Sequence, residues 1–168
     1  ISGNANYAIF REVTSDTYDP NDLGFLEFNN EVENGAFFSY DFYDPFWRIL
    51  DMHNEISVEY HQLFNPKKYM SLDISIENRT QFKNKLTVGL EADLSPMEQN
   101  DYFEPRNDGW FVKYPAAYSI NAFYSPDYNK TFLVDVMPGI SWASAYGQFG
   151  WSLRLGPRYK INEHLFMV

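Results

Sequence analysis

Leu50-Asp51-Met52-His53-Asn54-Glu55-Ile56-Ser57-Val58-Glu59-Tyr60-His61 decides the fold. Five of its six even positions are apolar or aromatic, Asn54 being the exception, and all six odd positions are polar. Successive side chains alternate across a β-strand, so this segment has one apolar and one hydrated face. The alternation recurs in Met70, Leu72, Ile74 and Ile76 against Ser71, Asp73, Ser75 and Glu77. It recurs again in Leu86, Val88, Leu90, Ala92 and Leu94 against Thr87, Gly89, Glu91 and Asp93.

Weaker versions run outward from this block. Val32, Ala36, Phe38, Tyr40 and Phe42 share a face, as do Tyr118, Ile120, Ala122 and Tyr124. Phe132, Val134, Val136, Ile140 and Trp142 form another set, and Phe149, Trp151, Leu153, Leu155 and Tyr159 a further one. With a strand around Asn4–Val13 and one starting near Leu165, this gives about eight strands and the start of a ninth. Many of the apolar sets cover about 9–11 residues, the length a tilted strand needs to cross a bilayer.

The connections are Asp16–Phe25, Pro45–Arg48, Asn65–Lys68, Lys83–Lys85, Ser95–Pro115, Pro126–Lys130, Ser144–Gly147 and Asn162–His164. Long and short largely alternate, the seventh being the exception, and outer-membrane barrels have long outer loops and short periplasmic turns. Asp19-Pro20-Asn21-Asp22, Asn65-Pro66, Asp108-Gly109 and Pro126-Asp127 carry turn chemistry. The fold expected is an all-β, antiparallel transmembrane β-barrel segment over residues 1–168, one domain of a larger barrel. Met52, Ile56, Val58, Ile74, Ile76, Val88 and Leu90 are expected to face lipid. A soluble β-sandwich or a lipocalin-like barrel also alternates, with its apolar face inward. Dense charge on consecutive polar faces, and apolar sets ending in Tyr, Trp or Phe, favour lipid.

Composition sets further bounds. The aromatic share is 19%, mostly from 15 Phe and 13 Tyr, residues suited to membrane–water interfaces. The formal charge of −10 repels phosphate backbones and argues against nucleic acid as a partner. The chain has no cysteine, which excludes a disulfide framework, thiol catalysis and Cys-ligated zinc. No apolar run is long enough for a transmembrane helix. Ile1 opens no signal-peptide pattern, so an export signal would be removed or lie upstream.

Two loop motifs carry a resemblance. One is Ser15-Asp16-Thr17-Tyr18-Asp19-Pro20-Asn21-Asp22-Leu23-Gly24-Phe25-Leu26. The other is Asp101-Tyr102-Phe103-Glu104-Pro105-Arg106, followed by Tyr114-Pro115 and Ser125-Pro126-Asp127-Tyr128. From about Gly3 to its end, the chain resembles a family of uncharacterised outer-membrane barrels in which the barrel often follows a family-9-like carbohydrate-binding module. The resemblance implies an outer-membrane location, and a barrel larger than this chain. No carbohydrate-binding module is visible in the sequence, and the family lends no catalytic residues.

The polar face holds the residues that could carry chemistry: His53, Glu55, Glu59, His61, Asp73, Glu77 and Arg79, with Asp51, Ser57, Glu91 and Asp93 beside them. His53 and Glu55 could share a metal, or a carboxylate pair could do acid–base work. The plainer expectation is a hydrated lumen whose charges pair across strands, with Arg79, Arg154 and Arg158 as counterions. Ser57 lies four residues from both His53 and His61, but no nucleophile elbow accompanies it.

In the long loops, Asp16, Asp19, Asp22, Asp101, Glu104 and Asp108 offer oxygens to Ca²⁺, against a plainer role as solvated turn residues. Tyr102, Phe103 and Trp110, with Phe111 and Tyr114, are costly to leave in water. The longer loop is therefore expected to fold over the barrel mouth or dock on a partner, with Arg106 paired to Glu104 or to a carboxylate of the first loop. Asp19, Asp22, Tyr102, Phe103, Glu104, Arg106 and Trp110 make up this contact set. Asn78-Arg79-Thr80 and Asn129-Lys130-Thr131 are glycosylation sequons that a bacterial outer-membrane protein leaves unused.

The sequence thus points to a non-enzymatic outer-membrane barrel, a pore or a subunit of an export or assembly complex. It would need no cofactor; its partners would be the lipid bilayer and other outer-membrane or periplasmic proteins. A soluble, aromatic-rich sandwich binding carbohydrate is the alternative, and a barrel hydrolase using the His53–His61 face is a third reading.

Overall fold

The computed structural model describes residues 4–19, 29–107, 109–145, 147–161 and 166–167. The strands are β1 (Ala5–Thr14), β2 (Glu31–Phe42), β3 (Ile49–Leu63), β4 (Tyr69–Phe82), β5 (Thr87–Ser95), β6 (Gln99–Asp101), β7 (Val112–Tyr114), β8 (Ala117–Ser125), β9 (Phe132–Ala143), β10 (Phe149–Lys160) and β11 (Phe166–Met167). There is no helix among the described residues. All pairings are antiparallel, in the order β1-β2-β3-β4-β5-β8-β9-β10-β11, with β6 and β7 forming a separate hairpin between β5 and β8. β1 and β11 are the two edges, so these strands make an open sheet and do not close into a barrel.

Cross-strand register explains the alternation seen in the sequence. Directly opposed residues point to the same side of the sheet. Tyr7, Phe38, Ile56, Ile76, Ala92, Ile120, Ile140 and Trp151 are successive partners across eight strands. Ile9, Ala36, Val58, Ile74, Leu94, Tyr118, Trp142 and Phe149 form the next row. Both rows are wholly apolar or aromatic, and within the second Tyr118 stacks on Trp142 with centroids 5.2 Å apart.

Little lies over this face. Among the described residues, only Val32, Ile49, Leu63, Ala116 and Leu133 are buried hydrophobics, while Ile9 is 86% and Trp151 75% exposed. The chain presents 12003 Å² of accessible surface. A compact chain of 19.8 kDa would present about 8,600 Å². The excess is that of a single layer whose apolar side has little over it among the described residues.

Asn54, Asn78 and Thr80 interrupt the apolar face and are bonded to one another; Arg11 and Asn34, opposed on β1 and β2, interrupt it as well. Asn78 Nδ2 donates to Asn54 Oδ1 at 2.7 Å, and Thr80 Oγ1 donates to Asn78 Oδ1 at 3.2 Å. Asn54 Nδ2 donates to the Tyr40 carbonyl at 3.2 Å. Leu50, which the period places on the apolar face, instead falls in a bulge, because the register shifts between Ile49 and Asp51. An extra residue in one strand breaks the alternation locally.

The strand ends are held by polar nodes. In the turn after β8, the Asn129 backbone N–H and side-chain amide both donate to Asp127 Oδ1, at 2.9 and 2.6 Å. The backbone bond, helped by the amide and by Lys85 and Lys130, holds the Asp127 carboxyl below its ordinary value. This contribution is present above the usual Asp range and fades as pH falls through the lowered value. Nearby, Asp135 is buried and accepts from Ser125 Oγ at 2.8 Å, Tyr128 Oη at 3.0 Å and Arg158 Nε at 3.1 Å. It thereby ties β8, the following turn and β10 to β9. Asp135→Ala should cost about 3 kcal/mol by stranding Arg158 and two hydroxyl donors. Asp135→Asn, which keeps an acceptor, should cost less. Denaturant unfolding of both variants checks this; an unchanged midpoint for Asp135→Ala would remove the node from the account.

Candidate functional site

The other face of the sheet is hydrated and charged. Asn6, Ser39, Glu55, Glu77, Glu91 and Asn121 form one row, in which three glutamates on β3, β4 and β5 stand directly opposite one another. Like charges so placed repel, and hydration and screening moderate that repulsion. One row further along, Asp93 accepts from Ser75 Oγ and from Ser119 Oγ, both at 3.1 Å, bridging β4, β5 and β8. Asp73 accepts from Ser95 Oγ at 2.6 Å. Of the expected counterions, Arg79 lies 3.3 Å from Asp51 and Arg158 3.1 Å from Asp135; among the described residues Arg154 makes no ion pair. Phe10, Phe37 and Phe123 also stand on this side. Phe10 covers Gly35 and Phe123 covers Gly89, each its direct cross-strand partner, so closely that a Cβ on either glycine would collide with the ring. Covering a strand glycine with a cross-strand aromatic restores the packing that the missing side chain forfeits.

Both β3 histidines are held the same way. His53 Nδ1 is 2.7 Å from Asp41 Oδ1, with Nε2 3.8 Å from Glu55. His61 Nδ1 is 2.7 Å from Glu31 Oε1, with Nε2 3.9 Å from Glu59. A carboxylate bonded to Nδ1 fixes the ring and favours the tautomer whose Nε2 carries the free lone pair. Among the described residues, the expected pairing of His53 with Glu55 gathers no third ligand. The cluster with three ligand groups is Glu33, Glu59 and His61, whose ligand atoms all lie within 4.8 Å of one another. Glu33 escapes sequence reasoning because it is remote in the chain and meets His61 only through the β2–β3 register. Ser57 faces Phe37 and Ser75 across the sheet, and no described contact joins it to either histidine.

The longer loop is ordered around the β6–β7 hairpin, which strand-length patterning misses because each strand has three residues. Gln99 Nε2 donates to Asp73 Oδ1 at 3.3 Å, and Asn100 Nδ2 donates to the Tyr69 carbonyl at 3.3 Å, so the hairpin leans onto the start of β4. Tyr102 packs on Phe111 with centroids 5.1 Å apart, and Lys68 Nζ lies 5.7 Å from the Tyr102 ring. A cavity of about 290 Å³ opens between sheet and hairpin, walled by Glu31, His61, Phe103, Glu104, Asn100 and Tyr114 among others.

Other loop expectations change. Trp110 is 69% exposed and takes no part in the packing. Arg106 makes no ion pair among the described residues; it is exposed, and its φ of 53° places it in a tight turn where its N–H bonds the Phe103 carbonyl. Asp101 Oδ1 accepts from the N–H groups of Phe103 and Glu104 at 2.8 and 3.0 Å, and so serves the turn. Asp16 accepts from Asn65 Nδ2 at 2.9 Å. Asp19 is exposed, while Asp22 and Asp108 lie outside the described residues. The described loop acids do not gather into a Ca²⁺ site.

Compared with known families, the chain matches one described as "Domain of unknown function (DUF5916)" over residues 1–168. No curated protein and no solved structure matches it.

The hairpin's ladder and its two side-chain anchors imply protection. Amides in β6 and β7 should exchange with solvent more slowly than those at Gly109 and Trp110, and the double substitution Gln99→Ala, Asn100→Ala should speed exchange there while leaving β4 unchanged. Hydrogen exchange read by mass spectrometry decides it; uniform fast exchange from residue 99 to 114 would mean that the hairpin is not docked.

Proposed function

The chain belongs to the DUF5916 family, a domain of unknown function, along its whole length, and from that premise we propose that its sheet is part of a transmembrane β-barrel of the bacterial outer membrane. The two unbroken apolar rows across eight strands carry the reading. They make a continuous band that water would penalise and acyl chains would not. Every strand from β1 to β5 and from β8 to β10 has nine residues or more, enough to cross at the usual tilt. The Asn54–Asn78–Thr80 network supports it too, since polar groups facing hydrocarbon must find their partners within the protein.

In this reading the charged face lines a hydrated interior, and strands alongside β1 and β11 complete the ring. The connections after β1, β3, β5 and β9 share one rim, taken as the outer one, and the hairpin leans over the interior there. The activity is non-enzymatic: a pore, or a subunit of an export or assembly complex whose partners are the bilayer and other envelope proteins. The competing reading, a soluble carbohydrate-binding sandwich, needs a second sheet over the apolar rows. The only described strands outside the main sheet, β6 and β7, are instead anchored to Asp73 on the charged face and to the Tyr69 backbone.

Absence of native cysteine makes single-cysteine labelling clean. Ile56→Cys and Ile76→Cys should react with a bilayer-confined thiol probe and Ser57→Cys should not; the reverse pattern would sink the membrane assignment. Ile76→Arg should destabilise the folded protein in lipid by about 2–4 kcal/mol. In intact cells, an impermeant reagent should label Asn65→Cys and spare Asn84→Cys, and equal labelling would contradict the proposed orientation.

A further inference from the structure

We propose that Glu33, Glu59 and His61 bind a divalent transition-metal ion of Zn²⁺ type on the charged face, beside the β6–β7 hairpin. Glu33 and His61 are direct partners on β2 and β3, and Glu59 is the next residue of β3 on the same face. The three ligand atoms lie within 4.8 Å of one another. Ligands on a tetrahedral Zn²⁺ sit roughly 3.4 Å apart, given bonds of about 2.1 Å. Small side-chain rotations cover the difference.

The histidine is set for this use. Glu31 holds Nδ1 at 2.7 Å, which leaves Nε2 as the lone-pair atom, and Nε2 lies 3.9 Å from Glu59. That gap is too wide for a hydrogen bond and suits two ligands around one ion. His53 has the same orienting carboxylate but lies directly opposite Arg79, a fixed positive charge that disfavours a cation. His61 lies between Glu33 and Ser71, with no cationic partner in its row. A nitrogen with two carboxylates matches Zn²⁺, whereas Ca²⁺ and Mg²⁺ prefer oxygen ligands alone. His61 and Glu31 also wall the cavity under the hairpin, and so does Asn100, whose side-chain oxygen is buried with no hydrogen-bond partner. The site does not depend on the barrel reading, since its ligands come from two adjacent strands.

The test is titration of the chelator-treated full chain, in detergent micelles or in buffer as isolated, with Zn²⁺ by calorimetry and with Co²⁺ by visible absorption. One equivalent should bind, with the cobalt spectrum of a nitrogen-ligated site. His61→Gln, Glu33→Gln and Glu59→Gln should each weaken Zn²⁺ by at least about 10-fold, and Glu31→Gln by about 10–100-fold through the freed ring. His53→Gln should leave the affinity unchanged, and circular dichroism verifies the fold of each variant. Should His61→Gln fail to fold, the two glutamate variants read the same site. Equal weakening by His53→Gln and His61→Gln, or Ca²⁺ competing as well as Zn²⁺, would show only a diffuse acidic surface and overturn the proposal.

Discussion

The register between β3 and β4 is the constraint on which the rest of the molecule depends. Ile56 faces Ile76, Val58 faces Ile74, Glu55 faces Glu77 and Glu59 faces Asp73. A slip of one residue would send every one of these side chains to the opposite face. Two features hold the pairing. Irregularities at Ile49/Asp51 and His61/Gln62 bracket it at both ends, and the Asn54–Asn78 amide bond forms only when these residues are opposed. All further rows inherit their face from this pair of strands, through β2 to β1 on one side and through β5 to β10 on the other.

The two faces treat polar groups in opposite ways. On the apolar side Asn54, Asn78 and Thr80 close on one another and on backbone carbonyls. On the charged side the carboxylates are shared among serines, histidines and arginines, and the Glu55–Glu77–Glu91 row concentrates a negative field. That field weighs more than the fold needs, because apolar burial contributes little here and like charges oppose the ladder. Bound cations would offset that repulsion.

How far the sequence could be read follows from distance along the chain. Alternation is local, so the strands, their faces and the alternation of rims were legible from stretches such as Leu50–His61. Which residues meet across strands is not local. Glu33 beside His61, Phe10 over Gly35 and Asp135 under Arg158 depend on register and turn length, which composition does not reveal. The hairpin was hidden for a different reason: three-residue strands show too few alternations to stand out from a polar loop. Trp110 ran against expectation: Tyr102 and Phe111 pack on each other while it stays exposed.

The order of the strands has a consequence for how such a sheet comes to exist. Apart from the hairpin excursion, each strand pairs with its immediate neighbour in sequence. Contacts of low separation close cheaply, so the sheet can lengthen one β-turn at a time from whichever strands meet first. Growth of this kind ends only when an edge is capped. Among the described residues β1 has one backbone edge unpaired, flanked by the exposed Tyr7 and Ile9, a template open to any extended chain. The same simplicity that lets the sheet grow leaves its exposed edge adhesive to other extended chains.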